Sequence, residues 1–261
     1  MKVASVNLII EGDKAFWIRK NFEKAQGIAC NCMLCDIIKN YRKLKLINTI
    51  ELSPYNYSEK EYEFPNGSSS ELPDEWNEFW LRCILDKNIE NLKAIKKSSY
   101  LVDIETINDR ELEEIIKNEL KEVELDDFEE QVSRIKGGIS IIENEILIIE
   151  PTCCGDIGNL NEWENIFENK SNTWHQLWVG HPWLFYKKEK GCVGFSDYTE
   201  LNFEDFKDIK IKLQFSEEEL KKEILKIRTG QNNFENRIRN ILNKMGINNC
   251  ERIAKLMTGN A

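Results

Sequence analysis

The run GGISIIENEILIIE at 137–150 limits the possible folds more than any other stretch of the chain. Two glycines interrupt the backbone, and apolar residues then alternate with polar ones on both sides of Glu143-Asn144, as in two half-buried strands joined by a tight turn. Four further short apolar runs follow, HQLWVG, WLFYKK, GCVGFS and DIKIKLQF, with Lys190-Gly191 turning one pair. Connections this short join antiparallel strands. The second half of the chain is therefore expected to build an antiparallel sheet.

Helical spacing dominates elsewhere. Ser216 is expected to cap a helical tail, with Glu217, Glu218 and Glu219 in the first turn where the helix dipole favours negative charge. Gly230 and Gly246 divide that tail into three helices, and Phe234, Ile238, Ile241, Leu242 and Met245 form the buried stripe of the middle one. Further upstream the pattern predicts a strand at 2–10, helices at about 13–25 and 34–44, a strand near 45–52, and then a polar loop holding three of the five prolines. A helix starts at Asp74, with Trp76, Phe79, Trp80, Cys83, Ile84 and Leu92 as its apolar stripe and both tryptophans expected in the core. The fold class is α+β: an antiparallel sheet with flanking helices and a helical C-terminal tail. Residues 1–135 form an N-terminal α/β region and residues 136–261 the sheet with its C-terminal helices, as two domains or one continuous domain.

A length of 261 residues is ample for a real core. The apolar runs are too short to span a bilayer, and Lys2 with its brief apolar run leads into Glu11 and Asp13 rather than a cleavage site, so neither a membrane segment nor a signal peptide is expected. The eight cysteines then read as reduced thiols of a cytoplasmic protein.

Net charge is −10, and residues 103–130 hold all of the imbalance with 13 acids against three bases. Ile107, Leu112, Ile115, Ile116 and Leu120 mark a helix there, capped by Asn108, so the acids are expected to point outward. One reading is a solvated face that aids solubility. The other is a docking surface on which Glu111, Glu113, Glu114, Glu122, Asp126 and Asp127 steer and pair with a cationic protein. Such a patch repels phosphate backbones, and nucleic acid is not expected as a partner. Residues 216–261 carry nine bases against six acids, so the patch is available only where those helices leave it uncovered.

Cysteine and histidine chemistry has three candidate sources. Cys30, Cys32 and Cys35 form C-x-C-x-x-C, three soft ligands without a nearby fourth, against which stands the reading of small thiols at a turn. Cys153 and Cys154 precede both histidines, His175 and His181, and a thiol nucleophile needs such a base within reach. The turn around them has an ordinary structural reading as well, with Gly155 and Gly158 shaping it and Asp156 or Asn159 capping the next helix. Trp174, Trp178 and Trp183 fall in the same stretch, as packing against the sheet or as an exposed anchor for a partner. Phosphate-loop, dinucleotide, nucleophile-elbow and zinc-protease patterns are absent from the sequence, and no cofactor is expected.

The segment IIEPTCCGDIGNLNEWE, with WHQLWVGHPW and FSDYTEL after it, resembles bacterial proteins of the kind that act as immunity proteins against polymorphic or contact-dependent toxins, over about residues 148–201. The resemblance implies an acidic inhibitor that covers a toxin's active site without catalysing anything, and it carries over no functional residues. The sequence is accordingly read as a cytoplasmic, non-catalytic protein that neutralises a cognate, basic toxin through an acidic and aromatic surface. A thiol enzyme using Cys153 or Cys154 with His175 or His181 is the competing reading, and a metal-stabilised module using Cys30, Cys32 and Cys35 is the third.

Overall fold

The computed structural model describes residues 44–205 and 208–260. The expected strand at 2–10, the helix at 13–25, nearly all of the helix at 34–44 and the cysteines Cys30, Cys32 and Cys35 lie outside the described residues.

The fold is α+β, as its strand and helix patterns imply, with two four-stranded antiparallel sheets among the described residues. In the first sheet the central pair is β1 (Leu44–Glu51) and β3 (Gly137–Glu143), flanked by β2 (Leu101–Asp103) beside β1 and β4 (Ile146–Ile149) beside β3. This sheet takes strands from both sides of the expected 135/136 division, and residues 44–261 form one compact unit. The β3–β4 turn is Asn144-Glu145, both at positive φ, one residue later than expected. A register shift between Ile141 and Ile142 accompanies it. The second sheet is a meander of β5 (Trp174–Leu177), β6 (Leu184–Glu189), β7 (Cys192–Phe195) and β8 (Leu213–Ser216). Lys190 and Gly191, both at positive φ, turn β6 into β7 as the sequence indicates.

Seven helices are described. These are α1 (Pro54–Tyr57), α2 (Pro73–Leu85), α3 (Asp109–Glu119), α4 (Phe128–Gln131), α5 (Leu160–Glu168), α6 (Glu217–Lys244) and α7 (Cys250–Thr258). Pro73 starts α2 at a position where its missing N–H costs nothing. Trp80 is fully buried and its Nε1 donates to the Leu52 carbonyl at 2.8 Å. Trp76, expected in the core, is only half-buried: its ring lies against Phe64 and Phe79, and its Nε1 donates to Gly67 O.

The C-terminal tail corrects another expectation, because Gly230 does not break it and α6 runs 28 residues. Leu220, Ile224, Ile227, Gln231, Phe234, Ile238 and Ile241 recur every three or four residues and are all buried, so the inward stripe passes Gly230 in phase. One interior glycine costs about 1 kcal/mol, which that burial outweighs several-fold. The upper half of the stripe packs with Leu46, Trp163, Leu184 and Phe195; the lower half packs with Ile50, Trp80, Leu112 and Ile253. Where the two cores meet, Gln231 accepts from Asn48 Nδ2 at 3.1 Å and donates to Thr258 O at 2.7 Å.

Gly137 of β3 pairs opposite Ile50 of β1 and leaves no room there for a side chain. At φ +139 it holds a conformation that side chains rarely adopt, and a Cβ there would lie 2.1 Å from Thr49 O. Gly191, at φ +74, has open space around it. Gly137→Ala is therefore expected to cost at least about 3 kcal/mol in denaturant unfolding, and Gly191→Ala only about 1 kcal/mol. Equal losses would contradict this packing.

Candidate functional site

The acidic segment divides into carboxylates that the fold uses and carboxylates that it leaves to solvent. Glu111, expected at the docking surface, is buried at 2 % exposure. Its Oε1 accepts from Glu90 N at 3.2 Å and Asn91 N at 2.7 Å, and its Oε2 accepts from Asn108 Nδ2 at 2.7 Å. Asn108 Oδ1 in turn accepts from Glu111 N at 3.0 Å, capping α3 as the sequence indicates. Glu111 thus clamps the loop after α2 onto the start of α3. The sequence signal that would have revealed this is the N-cap residue with a glutamate three positions on, the spacing of a capping box.

Glu113 and Glu114 are half-buried and both pair with Lys117, at 2.7 and 2.8 Å. The C-terminal helices take two more acids: Arg237 pairs with Asp109 at 2.9 Å and Arg252 with Glu129 at 3.0 Å. The Arg252 guanidinium holds the Glu129 carboxyl below its ordinary range. Among the described residues, Glu122, Glu124, Asp126, Asp127 and Glu130 are exposed and make no ion pair. Four of them lie between α3 and the first residue of α4, around the half-exposed Leu125.

The aromatic stretch is anchored through its backbone. The PTCCG turn docks on the loop between β5 and β6: Thr152 N donates to Val179 O at 2.9 Å, His181 N to Cys153 O at 2.6 Å, and the Thr152 hydroxyl to Pro182 O at 2.7 Å. A Cβ on Gly155 would lie 2.7 Å from Val179 O, so this close approach requires glycine. Trp183 is buried rather than exposed as an anchor. Its backbone pairs with Thr199 in both directions, and its ring stacks on Trp178 at 5.9 Å. Trp178 and Trp174 are half-buried and retain the exposed aromatic area of this stretch.

The structure does not assemble the four thiol and imidazole candidates into one catalytic group. His175 Nε2 meets Thr173 Oγ1 at 3.2 Å, and its ring lies beside Tyr186. The His181 ring packs edge-on against Trp183, with Nδ1 3.8 Å from Glu200 Oε1. Among the described residues neither imidazole hydrogen-bonds a thiol. Cys153 and Cys154 are both exposed, with sulfurs 3.4 Å apart, and the hydrogen bond shared between them, followed by the charge of Cys154, pushes the Cys153 thiol up. An activated nucleophile needs the opposite shift. Asp156 Oδ1 accepts from Gly158 N at 2.8 Å and so caps the turn that leads into α5. Among the described residues no group of three or more histidine, cysteine or carboxylate side chains is placed to hold a metal ion.

Two features were not anticipated. Tyr55 of α1, Phe64 of the polar loop, and Trp76 and Phe79 of α2 form an aromatic cluster, with Tyr55 67 % and Phe64 55 % exposed. Tyr198 OH donates to Glu150 O at 2.7 Å and accepts from Glu150 N at 2.8 Å; burial pushes this phenol up to about 12. No family model matches the chain, and no curated protein or solved structure is significantly similar to it.

The two kinds of carboxylate should behave differently on substitution. Glu111→Gln removes the charge from an acceptor of three hydrogen bonds and is expected to cost about 2–3 kcal/mol. Glu122→Gln, at an exposed and unpaired position, should change stability by less than about 0.5 kcal/mol. Chemical denaturation of both variants checks this, and a neutral Glu111→Gln would contradict the clamp.

Proposed function

We propose that this chain is a non-catalytic, immunity-type protein of the cytoplasm that binds and neutralises a basic protein toxin. The observation that carries the reading is the set of exposed carboxylates, Glu122, Glu124, Asp126 and Asp127, left without ion pairs among the described residues while neighbouring acids are engaged internally. Unpaired like charges on one loop repel one another, and a cationic partner relieves that repulsion while being steered in from a distance. Leu125, 42 % exposed at the centre of the loop, adds an apolar contact. Glu113 and Glu114 lie on the preceding helix α3 with their charge partly met by Lys117. Half-exposed Trp178 and Trp174 are a second contact region, with Trp183 supporting Trp178 from beneath.

The raised Cys153 thiol and the separate placement of the imidazoles weigh against the thiol-enzyme reading. No helix of the described residues is long and apolar enough to cross a membrane.

The test is capture from a lysate of the source organism on immobilised protein, alongside the variant Glu122→Lys, Asp126→Lys, Asp127→Lys. The wild type is expected to retain a near-stoichiometric basic protein at low salt and release it at high salt. The triple variant should slow association by about 10-fold or more with unchanged stability. Equal retention by the variant, or no basic protein on the wild-type column, would overturn the reading.

A further inference from the structure

Consecutive side chains of an extended chain point to opposite sides. At Cys153-Cys154 they do not. Cys154 takes φ +67, Gly155 N closes the turn on Thr152 O at 3.0 Å, and the two sulfurs come within 3.4 Å of each other, both exposed. The turn is held on both sides, by His181 N on Cys153 O and by the lack of space for any side chain at Gly155. Among the described residues neither thiol belongs to a buried hydrophobic cluster.

Two reactions are open to such a pair. Closure to a disulfide is disfavoured, because adjacent Cα atoms sit about 3.8 Å apart across a trans peptide and disulfides ordinarily span roughly 4.4–6.8 Å. Joint coordination of one soft centre requires no such closure. Zinc takes four ligands, whereas no third histidine, cysteine or carboxylate joins the pair among the described residues. The class that two thiols alone satisfy is a thiophilic, low-coordinate centre, for which soft sulfur ligands are selective.

We infer that Cys153 and Cys154 form a bidentate dithiol site that captures a trivalent arsenical. With an organoarsenic(III) oxide the two S–H bonds and the As=O bond break and two As–S bonds form. Both thiol protons leave with the oxygen as one water, and arsenic keeps its oxidation state. The site is independent of the toxin-binding reading, since it needs no protein partner.

The test is titration of the full-length, reduced protein with phenylarsine oxide in excess glutathione, read as intact mass. Wild type is expected to carry one arsenical per chain more than either Cys153→Ser or Cys154→Ser, because loss of one thiol removes chelation and weakens retention about 100-fold or more. The two thiols are exposed, so both variants should unfold at the wild-type midpoint. Peptide mapping of the wild-type adduct gives an independent readout, because the tryptic fragment 137–170 holds Cys153 and Cys154 and no other cysteine. An equal number of arsenicals on wild type and both variants, or an arsenic-free 137–170 fragment, would overturn the inference.

Discussion

The two hydrophobic cores share one helix, and the rest of the fold is arranged around it. Helix α6 has 28 residues and is about 42 Å long, more than one small core can cover. Leu220, Ile224 and Ile227 are packed in the core beneath the second sheet, and Phe234, Ile238 and Ile241 in the core with α2, α3 and α7. Strand β1 crosses the same join, with Leu46 in one core and Ile50 in the other. Between them Asn48 meets Gln231. A buried amide pair fixes the register of strand on helix, because sliding either by one residue leaves Asn48 Nδ2 and Gln231 Oε1 without each other in an apolar setting.

This arrangement explains which parts of the fold were legible in the sequence. The hairpins were, since Lys190-Gly191 and the alternation around Glu143 to Glu145 are local signals. Asn108 capping α3 and Ser216 capping α6 were legible for the same reason. Strand β2 was not, because its three residues are ordered by pairing with β1, about fifty positions upstream. Gly230 was misleading as a helix break, because the propensity of one residue is small beside the burial of the stripe on both sides of it.

Site legibility followed the same division. Counting charges located the acidic segment, but the count could not separate Glu111, which bonds two backbone amides, from Glu122 and Asp126, which are exposed and make no ion pair among the described residues. Residues of one chemical type and one stretch of chain therefore have opposite roles, set by contacts with Asn91, Arg237 and Arg252 from distant elements. Trp178 and Trp183 show the same effect within five residues, one partly exposed and the other the surface on which it rests. Of the acidic and aromatic residues singled out from the sequence, the fold leaves exposed, among the described residues, a short acidic loop and part of Trp174 and Trp178.

Native-state hydrogen exchange along α6 tests the shared-helix account most directly. If the helix joins the two cores into one cooperative unit, amides near Ile224 and near Ile238 should exchange through the same global opening, with equal free energies and equal denaturant dependence. Loss of protection around Ile224 and in β5–β8 at a markedly lower free energy, with Phe234 to Leu242 still protected, would contradict it.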